Sequence, residues 1–283
     1  MRKLFLLCLL IPVIGFGQQN LHLTLYGGFS NYQGDLQGKY FSFDQSNGAF
    51  GIGLKYDLNP HLALRTNLLL TQVGATDAKN DAHLRFRNLS FNSKITEGNL
   101  QLEYTLFDLD EKKFSPYAFA GLGVFHFNPY AFDTLGNKVY LKPLSTEGQG
   151  LSNHPERKPY SLTQLNIPFG AGVKLRISDN VVLAYELSFH KLFTDYLDDV
   201  STTYVDQTVL LNERGQLAVD MAYRADESGH GDPVYPADGT IRGGSKYKDW
   251  YYSQGITVYI GLNRRSGMRA MRGGQRLSCP KNL

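Results

Sequence analysis

Residues 166–189 read NIPFGAGVKLRISDNVVLAYELSF. On either side of the polar stop SDN (178–180), polarity alternates with a period of two. Before it, Ile167, Phe169, Val173, Leu175 and Ile177 share one phase, and Asn166, Gly170, Lys174 and Arg176 the other. After it, Leu183, Tyr185, Leu187 and Phe189 oppose Ala184, Glu186, Ser188 and His190. Successive strand side chains point to opposite faces, so the pattern predicts two antiparallel strands, 162–177 and 181–193, joined by a tight turn. The polar face decides the fold. A water-soluble barrel of the lipocalin kind keeps its apolar face inside. A barrel in lipid turns that face outward and keeps a polar lumen. Charges interleaved with glycine, on strands of ten or more residues, fit the second arrangement.

Working outward, the same alternation predicts strands at 21–32, 49–58, 62–73 and 250–262. A strand over 89–106 alternates clearly only from Leu100; its start has the opposite phase, which predicts a β-bulge near 89–96. The run PYAFAGLGVFHF (116–127) is apolar on both faces and is assigned as a strand from its length and neighbours. These are eight strands. Short connections follow the second, fourth and sixth, whereas long ones follow the first, third, fifth and seventh. The last runs from about Thr194 to Asp249, far beyond an ordinary loop. Alternating short turns and long loops is the signature of an outer-membrane barrel, with an even strand count placing both termini in the periplasm. The predicted fold class is thus all-β: an eight-stranded antiparallel transmembrane β-barrel, with long extracellular loops and a periplasmic C-terminal tail. Eighteen Tyr, 17 Phe and 29 Gly fit β-structure near a membrane interface.

The chain starts with MRK, then the apolar LFLLCLLIPVIGF, too short to span a bilayer as a helix. This predicts a signal peptide at 1–17, cleaved after Gly17, followed by the barrel at 18–262 and a basic tail at 263–283. Cys8 is a poor lipoprotein acceptor because Leu7 before it is not small. Cys279 is then the single cysteine of the mature chain, in an oxidising compartment, which points to an intermolecular disulfide or a reactive thiol. The chain's net charge of +3 divides unevenly. Arg2 and Lys3 contribute +2; Arg264, Arg265, Arg269, Arg272, Arg276 and Lys281 contribute +6; the middle therefore carries 3 − 2 − 6 = −5. A basic isoelectric point made by the two ends does not argue for nucleic-acid binding.

Chemistry-bearing clusters are few. Lys55, Arg65, Glu103, Lys174, Arg176 and Glu186 fall on the lumen phase, where ion pairs would plug the barrel. Glu186, Ser188 and His190 share one face, the residue types of a hydrolase, though neighbours on one strand need not converge. Asp195, Asp198 and Asp199 offer carboxylates to a cation without EF-hand spacing. His126, His154 and His230 lack metal-ligand spacing, and no cofactor motif is present. The glycines of FGIG, AGLG and FGAG fit close packing in a narrow barrel better than nucleotide binding.

Five strings together resemble one family: NYQGDL (31–36), STEGQG (145–150), NIPFGAGVKLRISDN (166–180), FTDYLDDVSTTY (193–204) and the terminal Cys279-Pro280. They are similar to the PorG family, outer-membrane barrels of the type IX secretion system of Bacteroidetes, with DYLDDVS the most specific string. The resemblance spans about residue 20 to the C-terminus. It implies a non-enzymatic component of protein transport, linked in some relatives to gliding motility. Its implied partners are a PorK/GldK-type lipoprotein, a PorN-type periplasmic ring protein and outer-membrane lipids. It also implies that Cys279 forms a disulfide with the lipoprotein. Arg264, Arg265, Arg269, Arg272 and Arg276 would steer the tail to an acidic partner. The competing readings are an outer-membrane lipid hydrolase and a small-ligand transport barrel.

Overall fold

The computed structural model describes residues 20–37, 44–80, 82–227 and 231–262. Alternating polarity becomes nine strands: β1 Leu21–Gln33, β2 Asn47–Asp57, β3 Leu62–Thr76, β4 Ser90–Thr105, β5 Phe114–Phe132, β6 Lys138–Tyr140, β7 Thr163–Arg176, β8 Val181–Leu192 and β9 Trp250–Gly261. Eight of them close a ring in the order β4-β3-β2-β1-β9-β8-β7-β5, with β5 pairing back onto β4. Every pairing is antiparallel, and β1 meets β9 from His22↔Gly261 to Gln33↔Trp250. The short β6 lies outside the ring, on the upper end of β5 through Tyr130↔Tyr140 and Phe132↔Lys138.

The barrel is inside-out compared with a soluble one. Leu25, Phe50, Ile52, Leu68, Leu100, Leu102, Leu122 and Leu165 are exposed on its outer wall, whereas Lys55, Arg65, Glu97, Glu103, Lys174 and Glu186 are buried within. That is the arrangement of an outer-membrane β-barrel. Glycines clear the narrow lumen for large side chains: a Cβ on Gly172 would collide with the Tyr117 ring, and one on Gly170 with Phe119.

The expected bulge in β4 does not exist. Its pairing with β3 runs unbroken from Thr76↔Ser90 to Leu62↔Tyr104, and that with β5 from Asn92↔Tyr130 to Thr105↔Tyr117. The polarity flips because the surroundings flip. Leu100, Leu102 and Tyr104 face outward along the lower strand, and Thr96 and Lys94 continue the same outward row. Inside, the row Glu103, Gln101 gives way to Ile95 and Phe91. Above the lipid-facing band the wall therefore has a soluble protein's polarity. The same crossing removed the alternation from β5, whose inward Phe125 and Phe127 join a core with Leu69, Val73, Ile95, Leu192 and Tyr251.

Long loops build an ordered cap over that core. The loop leaving β8 contains two helices, Gln207–Arg214 and Gln216–Ala222. Asp206 caps the first by accepting a hydrogen bond from Val209 N at 3.0 Å. Leu210, Ala218, Val219 and Ala222 of these helices pack with Leu151 and Val205 in a second core.

Candidate functional site

The charges predicted for the lumen meet there and balance. Glu103 from β4 holds Lys174 from β7, with Lys55 at 3.4 Å and Arg65 at 3.7 Å. Arg65 also donates to Glu186 at 2.8 Å, to Tyr259 at 2.9 Å and to Gln101 at 2.6 and 2.9 Å, and lies 4.5 Å over the Phe119 ring. Lys55 reaches Asp57 at 2.9 Å. Three cations thus face three carboxylates from β2, β3, β4, β7 and β8, tying one strand to the next across the barrel. Arg176 lies apart, near the rim, paired with Asp110 at 3.0 Å.

Glu186 does not serve His190. Its partners are Arg65 and, at 2.7 Å, the Tyr117 hydroxyl. The carboxylate on His190 is Glu97 from β4, 2.9 Å from Nδ1, while Nε2 lies 3.1 Å from Ser188 Oγ. This serine–histidine–glutamate row has the connectivity of a hydrolytic triad. Its setting does not match: Glu97 is also bound by Tyr251, Asn166 and Asn99, and the His190 ring stacks on Tyr251 at 4.2 Å. Ser188 borders an internal cavity of about 30 Å³, room for a water and not for an acyl chain. Glu97 was missed in the sequence because it sits where the outer polarity of β4 changes, although it keeps the inward phase of Glu103.

Asp195, Asp198 and Asp199 come together in the cap, each with its own protein donor. Asp198 accepts from the Tyr32 hydroxyl at 2.6 Å, and Asp249 lies 3.0 Å from the same oxygen. Asp199 accepts from Thr146 at 2.6 Å and Tyr160 at 2.7 Å; Asp195 accepts from Ser201 at 2.7 Å. Beside them Glu147 takes Arg242 at 3.0 Å and the Ser201 and Thr202 backbone N–H groups at 2.8 and 2.9 Å. Burial pushes Asp195 and Asp199 up to about 6, and raises Asp198 and Asp249 well above the usual carboxylate range. Asp198 and Asp249 share the Tyr32 hydroxyl, and each also accepts a backbone N–H, Val200 N at 2.9 Å for Asp198 and Leu197 N at 2.9 Å for Asp249. Among the described residues no group of three or more His, Cys, Asp or Glu is placed to hold a metal ion. NYQGDL, STEGQG and DYLDDVS, far apart in sequence, are thus the interlocking parts of one junction.

His126 faces outward and bonds Thr163 at 2.9 Å, and His154 pairs with Glu156 at 3.0 Å. The predicted signal peptide, His230, Cys279, Arg264, Arg265, Arg269, Arg272 and Arg276 lie outside the described residues.

The chain is similar in structure to Neisserial surface protein A at 10% identity and a TM-score of 0.41, covering 86% of this chain and 97% of that one. It is similar to OprG of Pseudomonas aeruginosa at 12% identity and a TM-score of 0.40, covering 87% and 99%. A major outer membrane protein of Thermus thermophilus gives 12% identity and a TM-score of 0.39, covering 85% and 98%. No curated protein matches. A family model does match, over residues 1–220, and on that match the chain belongs to the DUF6089 family, a domain of unknown function.

Proposed function

We propose that this chain is a non-enzymatic outer-membrane anchor for a periplasmic protein-export assembly, in the manner of the PorG-like barrels whose strings it carries. The observation that carries the reading is the closed lumen. Among the described residues paired charges fill its lower half and aromatic side chains its upper half, and Ser188 borders a cavity of water size, which favours an anchor over a conduit or a hydrolase. An eight-stranded barrel of this kind acts through its ends. β9 finishes at Gly261, and Leu262 N donates to Leu21 O at 2.9 Å on the rim of short turns, the periplasmic side of such barrels. The basic tail begins there. In this reading Cys279 bonds a PorK/GldK-type lipoprotein. The arginines steer the tail by charge toward that lipoprotein and a PorN-type ring protein, a steering that salt weakens.

Non-reducing electrophoresis of isolated membranes tests it. A high-mass band containing this chain is expected, collapsing on thiol treatment and absent in Cys279→Ser. A band that persists in Cys279→Ser removes the covalent link.

A further inference from the structure

One cation stands at the outer edge of the apolar wall. Lys191 is exposed on the outer wall of β8. Its register partners are Ile167 on β7 and Trp250 on β9. Phe189, two residues earlier on β8, faces the same way, Phe193 is exposed just past the strand's end, and Leu165 and Phe169 flank Ile167 on the same wall. Its ammonium lies 5.8 Å over the Trp250 ring, and among the described residues it meets no carboxylate. Lys191 is ten positions above Val181, the lower end of its strand. In a tilted membrane strand that is roughly 25 Å, the outer edge of the apolar band. Lys94 on β4 is different: its outward neighbours Thr96, Asn92 and Asn128 are polar, so water can surround it. At that edge the Lys191 ammonium reaches the headgroup layer, where a lipid phosphate is the anion that meets it.

Directly above lies an open groove of about 570 Å³, whose lining includes Leu165 and Phe193. Tyr196, Gln164, Thr194, Asp195 and Lys248 line it. Tyr196 stacks one face on Tyr160 at 4.7 Å. Among the described residues Lys248 bonds only the Ser245 carbonyl, at 3.2 Å, and it lies two residues before Trp250. Asp195 uses one carboxylate oxygen on Ser201, at 2.7 Å. The surface therefore offers, from lipid to water, an apolar wall, two ammonium groups and a polar groove with an aromatic side.

We propose that this rim of β7, β8 and β9 binds the phosphorylated saccharide headgroup of one outer-leaflet lipid. Lys191 and Lys248 hold its phosphate, its acyl chains lie along Leu165 and Phe193, and its sugar enters the groove beside Tyr196. The assignment rests on the apolar band facing lipid, and resistance of the wild-type chain to carbonate extraction from membranes tests that separately.

The full chain, purified in detergent, is titrated by native mass spectrometry with bis-phosphorylated lipid A, with the same lipid after enzymatic dephosphorylation, and with sodium phosphate as competitor. Retention of the phosphorylated lipid is expected to fall at least tenfold in the Lys191→Gln/Lys248→Gln double variant. It should survive in Lys191→Arg/Lys248→Arg and in Lys94→Gln. Heat-dependent electrophoretic mobility reports that each variant is folded. The proposal is overturned by equal retention in the glutamine double variant, by equal binding of the dephosphorylated lipid, or by displacement with inorganic phosphate, which would mark a free-anion site.

Discussion

At the scale of single residues, the cap junction is a set of carboxylates held where burial opposes their charge. Asp195 and Asp199 sit near 6, whereas an opened loop returns them to the ordinary carboxylate value near 4. Between those values the closed cap binds more protons than the open one. Acidification therefore favours closure, and that contribution is lost as pH rises through about 6. Asp35 and Glu147 near Asp195 add to the effect; Lys248 near Asp195 and Arg242 near Asp199 oppose it. Chymotryptic nicking between 193 and 249, normalised to an unfolded substrate at each pH, should be severalfold slower at pH 5 than at pH 8. Asp199→Asn, neutral at both, should reduce that difference; an unchanged ratio would mean that these carboxyls do not control the cap. The sequence displayed the three aspartates but not their use. A cation site and a hydrogen-bonded loop junction call for the same residue type, and only the fold brings Tyr32, Thr146 and Tyr160 to them.

At the scale of the strand, most of the barrel was legible because each wall separates two solvents. Where lipid lies outside and charge inside, as on β7 and β8, the alternation specifies strand, face and register together. Where water lies outside and aromatic core inside, as on upper β4, the alternation reverses without any change in hydrogen bonding. A reversed phase then mimics a bulge. The two explanations differ in what they predict for outward positions on β4. Leu100→Lys, five residues above the lower end of β4, places a charge near the middle of the lipid band and should destabilise the barrel by about 2–4 kcal/mol. Thr96→Lys, four residues higher, should be close to neutral. Urea unfolding in lipid vesicles measures both, and equal costs would place the band's edge elsewhere. The short β6 and the two cap helices were not legible: three-residue pairing and seven- or eight-residue helices carry too little periodicity, and their stability comes from packing against the rest of the cap.

At the scale of the whole molecule, the barrel's two rims are unequal. β2 has 11 residues and β5 has 19, an excess of about 26 Å along the strand. Beyond it, the β5–β6 hairpin turns at Gly136, where φ is +82°, beside Leu135, which is 85% exposed. That turn is the natural place for a label. A short epitope inserted between Leu135 and Gly136 should leave the ring of pairings intact and bind antibody on intact cells, and failure to bind until the envelope is permeabilised would reverse the assigned orientation. The tall β5 wall would thus give microscopy a handle on living cells, remote from the opposite rim where partners are proposed to dock.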